Sequence, residues 1–257
     1  MSRIHPSAII DPQAEVGEDV EIGPYCIVGP AVRLGNGCRL ISHVNIDGNT
    51  AIGDECTFYP FCSVGTKTQD LKFKGGDPGV VIGDKTTIRE YVTINAATYD
   101  GDFTRVGSGC LLMAYAHVAH DCIVGDGVIM ANCATLAGHI EVEDQVIVGG
   151  LTAVHQFVRL GRMSIMGGCS KVIKDVPPYM MADGHPLEVK GLNSIGLKRR
   201  GMEAAHRKTL KEVYRILYRR DLTTSDAVDR IKSDIEPIPE VGHILDFIDK
   251  SERGITK

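Results

Sequence analysis

The sequence predicts a mainly β protein: a parallel β-helix of hexapeptide repeats followed by a small α-helical domain. Three observations carry this reading. An apolar residue recurs every six positions from Ile4 to Val172, aromatic residues are scarce, and composition changes sharply after Val176-Pro177-Pro178. The chain has 257 residues, with 29 glycines and eight cysteines but only eight tyrosines, six phenylalanines and no tryptophan. Cores of this size usually draw much of their buried area from large rings. An interior of Val, Ile, Leu, Ala and Cys is therefore narrow and repetitive.

Stepping by six from Ile4 gives 29 positions, of which only Asp70, Gly76 and Asp100 break the apolar rule. Glycine follows the apolar residue in twelve of the 26 intact hexads, and the fifth residue is small, with Ile140 the one larger exception. This spacing matches neither the helical period nor the two-residue alternation of a long strand. It suits a short strand followed by a tight corner, where Gly, Asn or Asp supplies unusual backbone angles. Three hexads close one triangular coil, and stacked coils pair their strands in parallel about 4.8 Å apart.

The repeat defines a β-helical domain over 1–178, interrupted by polar, glycine-containing excursions near 66–80 and 99–105. Long loops on a rigid scaffold are candidate functional elements. Residues 179–193 read as a connector and 194–257 as the α-helical domain. Between Met202 and Tyr218, Leu210, Val213, Tyr214, Ile216 and Leu217 share one side, with Arg and Lys opposite. Thr223 to Ser225 offer a second helix start, and Pro239 opens a last helix through Phe247 and Ile248. Such a domain would cover the open edge of the last coil.

No apolar run approaches the ~18 residues of a membrane span, and the start MSRIHPSAII lacks the pattern of a signal peptide. With a net charge of −5 and no long basic stretch in the β-helical part, nucleic acid is not the expected partner. The expectation is a soluble cytoplasmic protein without membrane insertion. Six cysteines (Cys26, Cys38, Cys56, Cys62, Cys110 and Cys122) occupy the small fifth position and read as core fillers, not as disulfides or metal ligands. Cys133 and Cys169 fall in the fourth position, outside that explanation.

Four of the nine histidines, His117, His120, His139 and His155, cluster in the unbroken repeat. Residues one coil apart share a column, so His120, Gly138 and Gln156 stack, with Asp121 and His139 in the next column. An imidazole with an ordinary pKa near ~6.5 can take a proton from a hydroxyl, and Asp121 can fix its tautomer. A glycine one coil away leaves a backbone N–H open as an oxyanion donor. Clustered histidines also bind zinc. On spacing alone, base catalysis and metal binding stand level.

The segments AHVAHDC (116–122), NCATLAGH (132–139), GGLTAVHQF (149–157), GGCS (167–170), DVPPY (175–179) and GLKRRG (196–201), with QDLK (69–72) in the first excursion, resemble the UDP-N-acetylglucosamine 3-O-acyltransferases. These are hexapeptide-repeat enzymes that open lipid A synthesis, and the resemblance spans essentially the whole chain. It implies a left-handed helix, which the hexads alone do not, since most β crossovers are right-handed. It also implies a homotrimer with sites between subunits. The reaction implied is transfer of an (R)-3-hydroxyacyl group from acyl carrier protein to the 3-hydroxyl of UDP-N-acetylglucosamine, with no metal, cofactor or covalent acyl-enzyme.

By matching motif, His120 becomes the general base, beside Asp121, and the Gly138 N–H the oxyanion donor. His117, His139, His155 and Gln156 line the sugar and acyl site; Asp70 and Lys72 contact the nucleotide sugar; Asn193, Arg199 and Arg200 hold the uridine diphosphate. The basic residues between Lys198 and Arg215 suit an acidic carrier protein. Gly168, at the family's acyl-length position, would leave the groove open to a longer chain. Where many members have a His-Arg-Gly-Thr-like stretch, this chain has Asn95-Ala96-Ala97-Thr98, and Ile195 stands where an acidic uridine contact aligns. The first departure leaves room for N-acylation of a UDP-3-amino sugar. A close runner-up is the later N-acyltransferase of the pathway. From another class, a metal-dependent β-helix enzyme of the γ-carbonic anhydrase kind would also use clustered histidines.

Overall fold

The computed structural model describes residues 2–257. Its β part is a three-faced prism of short parallel strands, with sheets of eleven, nine and eight strands. The first face runs from Arg3–Ile4 to Ile165–Met166, the second from Ile9–Ile10 to Lys171–Val172, and the third from Glu15–Val16 to Arg159–Leu160. Coils stack in phase: Arg3 pairs with Glu21, His117 with Thr135, and Thr135 with Ala153. The apolar hexad residues fill the axis from Ile22 to Val172, all at most 5% exposed. The six fifth-position cysteines are buried among them, and burial pushes the Cys62 and Cys122 thiols up to about 12. Those two thiols stay protonated and inert.

The glycines act differently from the sequence expectation. The unusual backbone angle lies at the fourth hexad position, where Asp19, Tyr25, His43, Phe61, Tyr91, Cys133 and Cys169, among others, take φ between 51° and 66°. This accounts for Cys133 and Cys169, which are corner residues. The second-position glycines are required by space instead: a Cβ on Gly107 would lie 2.6 Å from the carbonyl carbon of Gly125 in the next coil. Most rings stand outside the core, several of them at these corner positions. Corner residues Tyr25, His43, Phe61, Tyr91 and Tyr115 stack along one edge with centroids 4.7–5.1 Å apart, the spacing of the coils.

Both excursions leave the prism at one edge, where the second face turns into the third. The first departs after Ser63–Thr66 and rejoins at Gly79–Ile82; the second departs after Thr93–Asn95 and rejoins at Phe103–Val106. After the last coil, Met180–Asp183 and Glu188–Leu192 form an antiparallel hairpin that joins the first sheet. Four helices follow: α1 (Ser194–Arg199), α2 (Ala204–Arg219), α3 (Thr224–Asp234) and α4 (Pro239–Asp249). The apolar side of α2 is buried, as its sequence spacing requires. Polar contacts tie this part to the coils: His243 meets Glu143 at 3.0 Å and Tyr179 at 2.9 Å, and Ser251 donates to Asp175 at 2.6 Å. No described helix is long and apolar enough to cross a membrane.

Candidate active site

His120 lies at the edge where the excursions leave. Its Nδ1 sits 2.7 Å from Oδ2 of Asp121. A carboxylate only accepts, so it sets the proton on Nδ1 and leaves a lone pair on Nε2. The Asp121 carboxylate is itself held: the Thr98 N–H donates to Oδ1 at 3.0 Å, and His139 Nε2 lies 3.6 Å from Oδ2. Burial works to raise the Asp121 carboxyl, but the bonds from His120 and Thr98, with His139 nearby, outweigh it and hold the group below its ordinary value. Asp121 therefore stays ionised across the neutral range.

Gly138 forms the floor beneath the ring. A Cβ there would come within 2.6 Å of Nε2 of His120, so no other residue fits under the imidazole in this position. The flanking Ala137 and His139 N–H groups are spent on Val154 and His120 carbonyls. The Gly138 N–H donates to no partner among the described residues. An open N–H beside an oriented imidazole is the pairing that acyl transfer needs.

The other predicted residues fall into groups. His117, on the second face, bonds Thr93 Oγ1 at 2.7 Å, and burial, helped by His120, pushes its pKa down so that it stays neutral. His139 stacks flat on Phe157, with centroids 4.9 Å apart. Asp70 reaches the cluster from the first excursion: one of its carboxylate oxygens and a nitrogen of each of His120 and His139 lie within 4.8 Å of one another. Lys72 is exposed on the same loop, its N–H held by Asp70 Oδ1. Gln156 stacks in the His120 column but is exposed, as are His155 and Gly168.

Three residues stand elsewhere. Asn193 caps α1, accepting from the Gly196 N–H, while its Nδ2 donates to the Met163 carbonyl. Arg199 is exposed at the end of α1, and Arg200 donates to Gln145 Oε1 at 2.9 Å. Gln145 is a corner residue between the third and first faces, so within one chain this group does not share the His120 edge.

Sequence reasoning missed Thr98. It is 1% exposed, its Oγ1 lies 3.1 Å from His120 Nδ1 and 3.2 Å from Thr68 Oγ1, and Thr68 in turn accepts from the Asp70 N–H. This polar chain links the first excursion to the imidazole. Thr98 and Thr68 occupy the small fifth hexad position, which marked them as filler, and the excursions break the coil arithmetic that would have aligned them with His120.

Hexad coils that carry an oriented imidazole over bare glycine define a class, the hexapeptide-repeat transferases. Comparison with known proteins narrows it. Residues 1–36 and 103–138 match the bacterial transferase hexapeptide (six repeats) family, and residues 175–256 match domain 2 of UDP-N-acetylglucosamine O-acyltransferase. The acyl-[acyl-carrier-protein]--UDP-N-acetylglucosamine O-acyltransferase of Thermodesulfovibrio yellowstonii is 50% identical over 258 aligned residues, covering 100% of both chains. LpxA from Acinetobacter baumannii superposes with a TM-score of 0.95 at 44% identity, covering 99% of each chain. LpxA from Bacteroides fragilis, described as a UDP-N-acetylglucosamine acyltransferase, gives 0.96 at 40% identity over 99% of this chain and 100% of its own. The chain belongs to the UDP-N-acetylglucosamine O-acyltransferase family, and its coils form a left-handed parallel β-helix.

Proposed function

We infer that the chain transfers an (R)-3-hydroxyacyl group from acyl carrier protein to the 3-hydroxyl of UDP-N-acetylglucosamine, the first step of lipid A synthesis. Full-length kinship with the acyl carrier protein-dependent O-acyltransferase supports the activity. The observation that carries the mechanism is the His120–Asp121 pair standing over the open Gly138 N–H.

His120 Nε2 takes the proton of the sugar hydroxyl as its oxygen attacks the thioester carbonyl. The tetrahedral oxyanion accepts a hydrogen bond from the Gly138 N–H. When the C–S bond breaks, the departing thiolate recovers the proton from the imidazolium. Asp121 stabilises that imidazolium and keeps the ring in place. His117, His139, His155 and Gln156 border the acceptor and the acyl chain, with Asp70 and Lys72 on the sugar nucleotide and Gly168 along the acyl groove.

Asn193, Arg199 and Arg200 take the uridine diphosphate, with the arginines suited to a diphosphate. Their place on another edge of the chain favours a homotrimer, in which a neighbour's group completes each site. The exposed basic side of α2, including Lys208, Lys211 and Arg215, fits the acidic carrier protein. The working unit is thus a cytoplasmic trimer with a β-helical domain over 1–178 and a helical domain over 194–257.

The test is mass spectrometry of products from a panel of 3-hydroxyacyl carrier proteins offered with UDP-N-acetylglucosamine and its 3-amino analogue. An ester product from UDP-N-acetylglucosamine supports the reading. An amide formed only from the 3-amino analogue would replace the acceptor, and no acyl product from either would reject the function.

A further inference from the structure

Three groups gathered at the His120 edge, a carboxylate and two imidazoles, are of the kinds that hold a metal ion. One carboxylate oxygen of Asp70 and one nitrogen each of His120 and His139 lie within 4.8 Å of one another. All three residues are half-buried. Two features beyond proximity favour a cation. With Nδ1 of His120 bonded to Asp121 at 2.7 Å, the nitrogen left open is Nε2, and a carboxylate behind an imidazole is the usual support of a metal-bound histidine. His139 is fixed by its stack on Phe157, so neither ring needs ordering when an ion arrives.

The donor chemistry selects the ion. Two imidazoles and one carboxylate suit Zn²⁺, whereas Mg²⁺ and Ca²⁺ prefer all-oxygen shells. Zinc–ligand bonds of about 2.0–2.2 Å put tetrahedral donors roughly 3.4 Å apart. With the three donor atoms already within 4.8 Å of one another, reaching that spacing takes shifts of at most about 1.4 Å.

We propose that Asp70, His120 and His139 form an inhibitory Zn²⁺ site, in which the ion occupies the lone pair on His120 that would otherwise accept the substrate proton. The bound zinc ties the first excursion down across the glycine floor and shuts the acceptor out. The proposal shares His120 with the acyl-transfer reading, so binding is measured without substrates, and its failure is distinguishable from a failure of that reading.

Chelator-stripped protein is titrated with zinc against a chromophoric chelator, for the native chain, Asp70→Asn and His139→Ala, with circular dichroism to confirm folding. Acyl transfer by the native chain is assayed over the same zinc range. The expected result is one zinc per chain with micromolar or tighter affinity and at least about ten-fold weaker binding in each variant. Activity should fall over the same concentrations and return with EDTA. Absent binding at these concentrations, equal affinity in both variants, or binding that leaves activity unchanged or raises it would overturn the proposal.

Discussion

Two edges of the prism are built from the same hexad yet treat the same backbone donor in opposite ways. Where the third face turns into the first, the third-position N–H of one coil is capped by an Asn or Asp from the next. Glu18 donates to Asn36 at 2.8 Å, Asn36 to Asp54 at 2.7 Å, Ser108 to Asp126 at 2.7 Å and Asp126 to Asp144 at 3.0 Å. Glycine precedes most of these acceptors, because the coils approach too closely for a Cβ. Where the second face turns into the third, the same positions hold His120, Gly138 and Gln156, and the Gly138 N–H keeps no partner among the described residues. One edge caps these donors from coil to coil, and the other leaves the Gly138 donor uncapped beside the His120 ring.

Gly→Ala changes should separate the two edges most clearly. Gly138→Ala thrusts a methyl at the His120 ring and should lower kcat at least ~100-fold, the scale of a displaced general base, with little change in the melting temperature. Gly107→Ala instead collides with the Gly125 backbone and should destabilise by about 1–3 kcal/mol, seen as a lower melting temperature while kcat of the folded enzyme holds. Equal effects at both positions would erase the distinction.

Thr98→Val should give a smaller loss. It removes the hydroxyl beside His120 Nδ1 and should reduce kcat about ten-fold, the worth of roughly one hydrogen bond, with KM unchanged. Thr98→Ser should restore the rate; a Ser variant as poor as Val would limit Thr98 to packing.

The smallest expected effect lies at the helical end. Burial works to raise the Glu143 carboxyl, but His243, the Arg162 N–H and Arg159 outweigh it, so its folded pKa is depressed. Such a group adds stability that is full above its unfolded value, about 4.3, and lost as pH falls through the lower folded value. Denaturant titrations should therefore show the native chain losing more stability below pH 4.3 than Glu143→Gln does. Parallel pH curves would remove the contact from the stability of the helical domain.

The coils were legible because a six-residue period survives any substitution among aliphatic residues. Within the unbroken stretch the period also put His120 over Gly138 and Asp121 beside His139. It failed where other forces decide. Phase marked Thr98 as filler, since a buried threonine and a buried valine look alike to a hydrophobic pattern and only the fold brings its hydroxyl to His120. The hairpin of Met180–Asp183 and Glu188–Leu192 was missed because its short strands are fixed by pairing with the last coil. The capping role of Asn193 was also overlooked, although an Asn just before a helix is a recognised start signal.

The most direct measurement is steady-state acyl transfer by His120→Ala, with circular dichroism and sedimentation as controls for fold and assembly. If an Asp121-oriented imidazole is the base, kcat should fall about 100- to 10,000-fold while fold and assembly are unchanged. A folded variant that keeps a tenth or more of the native rate would contradict it.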